Sequence, residues 1–256
     1  IVYAMPVNGQ AITLNGKGKL TGKMELWKSQ AGKFIINSPL AYTGKSVISE
    51  GTLEVNNEVS GPIDLRARGT LAGNGTVNDI TFEGAINYEG GRIAPGATAD
   101  ATETPNGVEH RAIGTLTFKK GLTLNKRTFL EMDIATETLC DLIHVEGDLN
   151  VSATTTFTIL SGDTKLKPGR YKLIEYTGSF NGDTKKFAVR GLTGISYEVV
   201  NEDNAIYLKI NDQREATNGV QWMGNESTTW DYKTKNFVLE GAATEFVAGD
   251  GVVFND

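Results

Sequence analysis

The chain has 256 residues, 39% of them hydrophobic, enough for a sizeable core in one long domain or two small ones. Its net charge is −6 and its cations are scattered, with only doublets such as Lys119-Lys120 and Lys185-Lys186, which excludes the clustered Lys and Arg that phosphate binding needs; no nucleic-acid partner is expected. The single cysteine, Cys140, excludes an intrachain disulfide and a cysteine-based zinc site, and no apolar run approaches the length of a membrane span.

The chain opens on Ile1-Val2-Tyr3-Ala4-Met5-Pro6, without an initiator Met, a charged n-region or a cleavage site. It is therefore expected to be an excised segment that does not show its export signal, if any. Short alternating runs then follow one another: Gly51–Val55, Pro62–Ala67, Gly69–Ala72, Thr76–Ile80, Ile80–Glu83 and Ala85–Tyr88. Every second residue is apolar and its neighbours are polar, the period of strands with one dry and one wet face. The phrase Gly-Thr-Leu recurs at residues 51 and 69, 18 apart, within the range expected of stacked rungs. Asn15-Gly16, Asn74-Gly75, Asn106-Gly107 and Asn181-Gly182 are expected to supply left-handed corners. Residues 97–113 are small and polar, and read as an excursion loop. Beyond it the pattern resumes with Gly114–Phe118 and Gly121–Leu124. Longer strands are expected at Arg127–Ile134, Thr155–Leu160, Arg170–Tyr176, Ile195–Val200 and Ala205–Ile210, the last two joined by a hairpin-like Asn201-Glu202-Asp203-Asn204. Asn211–Asn218 reads as a linker, followed by a tail rich in aromatics.

These elements predict an all-β fold: a right-handed parallel β-helix (a β-solenoid) over residues 1–210, ending in an antiparallel or capping element. Residues 211–256 are expected to be a linker with a cap, or the start of a further repeat module. An antiparallel sandwich is the competing architecture. The predicted interior is Leu53, Val55, Ile63, Leu65, Leu71, Ile86, Leu116, Phe118, Leu122 and Leu124.

The stretch Leu26-Trp27-Lys28-Ser29-Gln30-Ala31-Gly32-Lys33-Phe34-Ile35-Ile36, with Tyr42-Thr43-Gly44 and then Gly51-Thr52-Leu53-Glu54-Val55, resembles the autotransporter-associated β-strand repeat of pertactin-like passenger domains. Gly69–Val77 and Gly91-Arg92-Ile93-Ala94-Pro95-Gly96 are similar to the family's next phrases, as are Asp141–Gly147 and Gly169–Ile174. Gln30 stands where the family usually has Gly, and Leu40-Ala41 replaces its asparagine-containing approach to Tyr42. The resemblance covers about residues 18–210. It implies export and display on a bacterial cell surface, a stalk, spacer or adhesive role, and no catalytic residue. The membrane barrel that completes such proteins is not among these residues.

Few residues suggest chemistry. Cys140 and His144 are four apart, but no third ligand or orienting partner is near in sequence, so a structural strand is expected. His110 reads as a solvated loop residue. Polysaccharide-degrading β-helices need convergent carboxylates; Glu54, Asp64 and Glu83 read as outward residues on separate strands, with no acid pair. Gly249-Asp250-Gly251 and Asn201-Glu202-Asp203 could hold Ca²⁺ but lack the ligand cadence of known calcium loops. Trp222, Trp230 and Tyr232 form the one candidate ligand platform, for stacking on a sugar ring. The expectation is a monomeric, non-enzymatic surface scaffold without cofactor or metal, whose partner would be a host or environmental surface ligand or glycan. The alternatives are a carbohydrate-binding module or a polysaccharide-degrading enzyme.

Overall fold

The computed structural model describes residues 1–83, 89–103, 109–161 and 166–254, with the side chains of 98–103 and 109–111 outside that description. Nearly all regular structure is β. Among the described residues, the one helical element is a single 3-10 turn, Thr184–Lys186. The strands form long parallel sheets that remain open at their edges.

The largest sheet runs in the order Val2–Ala4, Leu26–Lys28, Ser46–Val55, Ile63–Gly73, Glu89–Pro95, Arg127–Thr136, Thr155–Leu160 and Phe187–Arg190. Each strand pairs in parallel with the next. A second sheet carries Leu20–Gly22, Leu40–Tyr42, Glu58–Val59, Thr76–Val77, Thr115–Phe118, Leu142–Val145 and Gly169–Tyr176, again parallel to that point. A third, smaller sheet stacks Leu122–Leu124, Leu149–Val151 and Phe180–Gly182.

Register explains the alternation seen in the sequence. Ile12, Phe34, Leu53, Leu71, Ile93, Leu130, Phe157 and Val189 are successive Cα partners and form one column. Leu53, Leu71, Ile93, Leu130 and Phe157 in it are completely buried. Each buried member of the column repeats the same hydrophobic gain, about 1.5–3 kcal/mol per side chain. The Gly-Thr-Leu phrase is a literal register repeat: Gly51, Thr52 and Leu53 pair with Gly69, Thr70 and Leu71. All the predicted interior residues are buried except Ile86, which lies outside the described residues with the expected strand Ala85–Tyr88.

Several expectations are corrected. The short strands expected at Pro62–Ala67 and Gly69–Ala72 are one strand, Ile63–Gly73, and Gly51–Val55 is the second half of Ser46–Val55. Each long strand contains a corner. At Gly51 φ is 70°, and an added Cβ would meet the Gln30 and Gly32 carbonyl oxygens at 2.3 and 2.5 Å, so glycine alone fits. The Asn-Gly pairs do something else. Of the pairs at 15, 74 and 181, only Gly16 has a left-handed φ, 142°, and none of the asparagines does; Asn106-Gly107 lies outside the described residues. The side chains of Asn15 and Asn181 instead join asparagine ladders, to which Asn74 adds its backbone amide, donating to Asn56 Oδ1 at 3.3 Å. Asn37 Nδ2 donates to Asn15 Oδ1 at 2.8 Å, Asn56 Nδ2 to Asn37 Oδ1 at 3.1 Å, and Asn181 Nδ2 to Asn150 Oδ1 at 2.9 Å. The excursion at 97–113 is an antiparallel arm, Ala97–Glu103 against Glu109–Ala112. Glu54 and Asp64, expected outward and wet, are 1% and 0% exposed, bound by Asn56 and Arg66; Glu83 is exposed.

The parallel order ends where Gly169–Tyr176 pairs antiparallel with Ala205–Ile210, which in turn pairs with Tyr197–Glu202. The turn between the last two holds Asp203 and Asn204 at φ 50° and 55°, left-handed values that short polar side chains tolerate in a tight hairpin. The tail is a separate four-stranded sheet in the order Ala242–Thr244, Phe237–Leu239, Asn218–Trp222 and Gly251–Val253, the last strand parallel to its neighbour.

Candidate functional site

The aromatic tail is the site singled out from sequence. Asn218–Trp222 and Phe237–Leu239 pair so that Trp222 faces Phe237, and the intervening turn returns Trp230 onto both. Trp222 and Trp230 stack with centroids 5.4 Å apart and planes 9° from parallel. Phe237 is fully buried and meets both edge-on; Phe246 packs on Trp230, Tyr232 and Phe237. Trp222, Trp230 and Tyr232 thus belong to one cluster, in which the two tryptophans spend a face on each other. Trp230 remains 44% exposed and Tyr232 partly exposed.

Two polar centres hold this cluster in place, and sequence reasoning missed both. Arg214, within the expected linker, donates Nη1 and Nη2 to the two oxygens of Asp250 at 2.7 and 2.6 Å, and Nε to Thr244 Oγ1 at 3.0 Å. The Asp250 carboxylate is fully buried and also accepts the Thr217 and Val247 amides. Burial pushes its pKa up, but Arg214 and the two amides outweigh that and hold it below the usual carboxylate value. Asp250, a candidate calcium ligand from sequence, therefore has a guanidinium as its cation. The second centre is Asn236, wholly buried, which accepts the Glu226 and Ser227 amides and donates to Ser227 Oγ and the Thr229 carbonyl. The other calcium candidate, Asn201-Glu202-Asp203, is the hairpin turn, and Arg170 pairs with Glu202 and Asp203.

Stacking brings His144, Lys172 and Glu175 of the second sheet into one neighbourhood with Cys140, whose strand Leu139–Cys140 pairs with Arg127–Thr136. His144 pairs in register with Glu175, and its Nδ1 lies 2.7 Å from Glu175 Oε1, with Lys172 Nζ 3.2 Å from Oε2. Burial raises the Glu175 pKa, yet the hydrogen bonds from Lys172 and His144 prevail and lower it. Cys140 donates its thiol to the Lys172 carbonyl at 3.3 Å. Burial, and then the Asp141 charge, push that thiol up to about 11, so it is protonated at neutral pH and a poor nucleophile. His110 is in the antiparallel arm, and its side chain lies outside the described residues. Among the described residues no three His, Cys, Asp or Glu side chains group to hold a metal ion.

A further cluster had no signal in the sequence. Phe129, on the polar face of the largest sheet, is ringed by Arg92, Arg127 and Arg190 with guanidinium carbons 5.7, 5.8 and 5.4 Å from its centroid. Arg92 pairs with Glu131 and Arg127 with Glu89. These arginines are far apart in the chain, and only the register map could have brought them together. Finally, the tail and the last strands of the main sheets enclose a cleft of about 200 Å³ between Ile195, Ser196, Tyr197 and Asp231, Tyr232, Lys233. No protein-family model matches the chain, and no curated protein matches it significantly.

Proposed function

We propose that the stacked parallel sheets are a right-handed β-solenoid, and that the chain is a non-enzymatic structural or adhesin-like module displayed on a bacterial cell surface. Parallel crossovers are right-handed in about 98% of cases, which supports that hand. The observation that carries the reading is the single register column from Ile12 to Val189. Each rung contacts only its neighbours, so length grows by repetition without any need for a central site, as a stalk or spacer requires. The groups with reactive potential serve the scaffold. Lys28 bonds carbonyls, Cys140 bonds a carbonyl, and His144 is tied to Glu175. Export and display rest on the likeness of residues 18–210 to the autotransporter-associated repeat. In this reading residues 1–210 are the solenoid and 211–256 a module set on its last coil.

A second reading, carbohydrate binding, is favoured by one observation: Trp230 stays 44% exposed within an ordered aromatic cluster. One experiment separates these readings from a polysaccharide-degrading enzyme. The chain is incubated with polygalacturonate and alginate, with and without Ca²⁺, and both product release and binding in an affinity gel are followed. The scaffold reading expects neither turnover nor retardation. Retardation abolished by Trp230→Ala would establish the binding module in its place, and turnover abolished by one carboxylate substitution would make the chain an enzyme.

A further inference from the structure

Cations that are scattered along the sequence meet on one face of the largest sheet. Phe129 has Arg92 and Thr156 as its Cα partners on the two adjacent strands, and Arg190 pairs with Thr158 one strand further on. With the guanidinium carbons of Arg92, Arg127 and Arg190 at 5.7, 5.8 and 5.4 Å from its centre, three like charges share the Phe129 ring. Lys186 extends the group. It precedes Phe187, whose partner Thr155 pairs with Thr128, and so lies two rungs from Arg127. All four cations are exposed, across strands that span three rung spacings, about 14 Å. Two of the charges are compensated: Arg92 Nε donates to Glu131 at 3.2 Å, and Arg127 donates to Glu89. Arg190 and Lys186 have no carboxylate partner among the described residues. Four cations against two carboxylates leave a local surplus of +2 on a chain whose net charge is −6.

Cation–π contacts at an exposed ring are weak, so packing on Phe129 does not by itself account for gathering surplus charge there. A second feature adjoins the patch. Lys126, the residue before Arg127, lines a groove of about 400 Å³ together with Phe82, Thr81, Thr123 and Asn125. Hydroxyl and amide groups set around an aromatic side chain suit a sugar ring. We propose that this face binds a sulfated glycan, its sulfate oxygens accepting from Arg190, Lys186 and the arginines around Phe129, with a sugar ring in the adjoining groove. A sulfate group offers three oxygens and can accept from guanidinium groups that approach from different strands, whereas a carboxylate offers two in one plane. A uronate would also replace Glu89 or Glu131 by a like group and gain little. A nucleic acid calls for more phosphate contacts than four cations supply. The site goes beyond the scaffold role and is independent of the Trp222–Trp230 platform.

The test runs the full chain through affinity gels holding dextran sulfate, unsulfated dextran, polygalacturonate or oligothymidylate, at low and at high salt. Dextran sulfate is expected to retard the chain, less so at high salt as the charges are screened, and the other three are not. Arg190→Gln should weaken that retardation about tenfold, through loss of one charge-assisted contact. Lys17→Gln removes the same charge from an exposed position outside this face and should change nothing, as should Trp230→Ala in the tail. Absence of retardation by dextran sulfate at low salt overturns the proposal, and leaves the scaffold reading intact. Equal weakening by Arg190→Gln and Lys17→Gln overturns it too, since the effect would then be one of net charge. So does equally strong retardation by polygalacturonate or oligothymidylate, or a loss on Trp230→Ala, which would move the ligand to the tail. Circular dichroism melts check folding, and Lys186→Gln, with the same expectation, replaces Arg190→Gln if the latter melts early.

Discussion

Lys28 is a charged residue at an interior register position, between Ala4 and Ile48, and it is fully buried. Its ammonium donates to the carbonyls of Ser29, Gln30 and Glu50 at 3.1, 2.7 and 2.9 Å, closing the corner where Gln30 and Gly51 take left-handed angles. Burial lowers its pKa from 10.5 to about 8, against a smaller upward pull from Glu50. Between those two values the unfolded chain holds a proton that the folded chain has released, so stability rises with pH across that window. At about 1.4 kcal/mol per unit, the buried charge costs about 3 kcal/mol at pH 7, a cost relieved by about pH 10.5. Lys28→Met removes the charge but leaves three carbonyls without a donor, at about 1–3 kcal/mol each, so the variant is no more stable than wild type at pH 7. The pH dependence is the cleaner observable. The stability of wild type relative to Lys28→Met should grow by about 3 kcal/mol from pH 7 to pH 10.5, or about 6–12 °C in melting temperature for a chain of this size. Urea titrations followed by circular dichroism at four pH values measure it, and titrations elsewhere cancel in the difference. Two stability curves that run parallel across the window would refute the burial of this ammonium.

Leu71→Asp puts a carboxylate into the column between Leu53 and Ile93 and should cost at least about 4 kcal/mol; an unchanged melting temperature would mean that the column is not dry. Arg214→Met strips the partner from the buried Asp250 carboxylate, which should cost about 3–5 kcal/mol within the tail alone. The stacked Trp222–Trp230 pair should then lose its exciton signal at a lower temperature than the sheets melt, and coincident, unshifted transitions would count against a keystone role for the pair.

What the sequence determined by itself is what depends on local period. Alternation placed Leu53, Val55, Leu71, Leu116 and Leu124 inside, because the side-chain period of a strand is two whatever it pairs with. The Asn201–Asn204 hairpin was legible for a similar reason: its turn residues are those that tolerate left-handed angles. The Gly-Thr-Leu repeat even supplied a register, since like residues stack on like in a parallel column.

Tertiary structure decided everything that depends on which rung lies beside which. Glu54 and Asp64 have the strand parity of wet residues, yet they are buried, because exposure depends on what covers a face and not on the face alone. Lys28 is interior because its register partner is Ile48 and because corner carbonyls from residues 29, 30 and 50 converge on its ammonium. Arg214 lies in a polar stretch that reads as a linker, and its role depends on a partner, Asp250, 36 residues away. The arginines around Phe129 meet only because rungs of unequal length bring residues 92, 127 and 190 side by side. Local pattern encodes the direction of a side chain relative to its own strand; its neighbours are set by the lengths of the loops between rungs, which no local pattern contains.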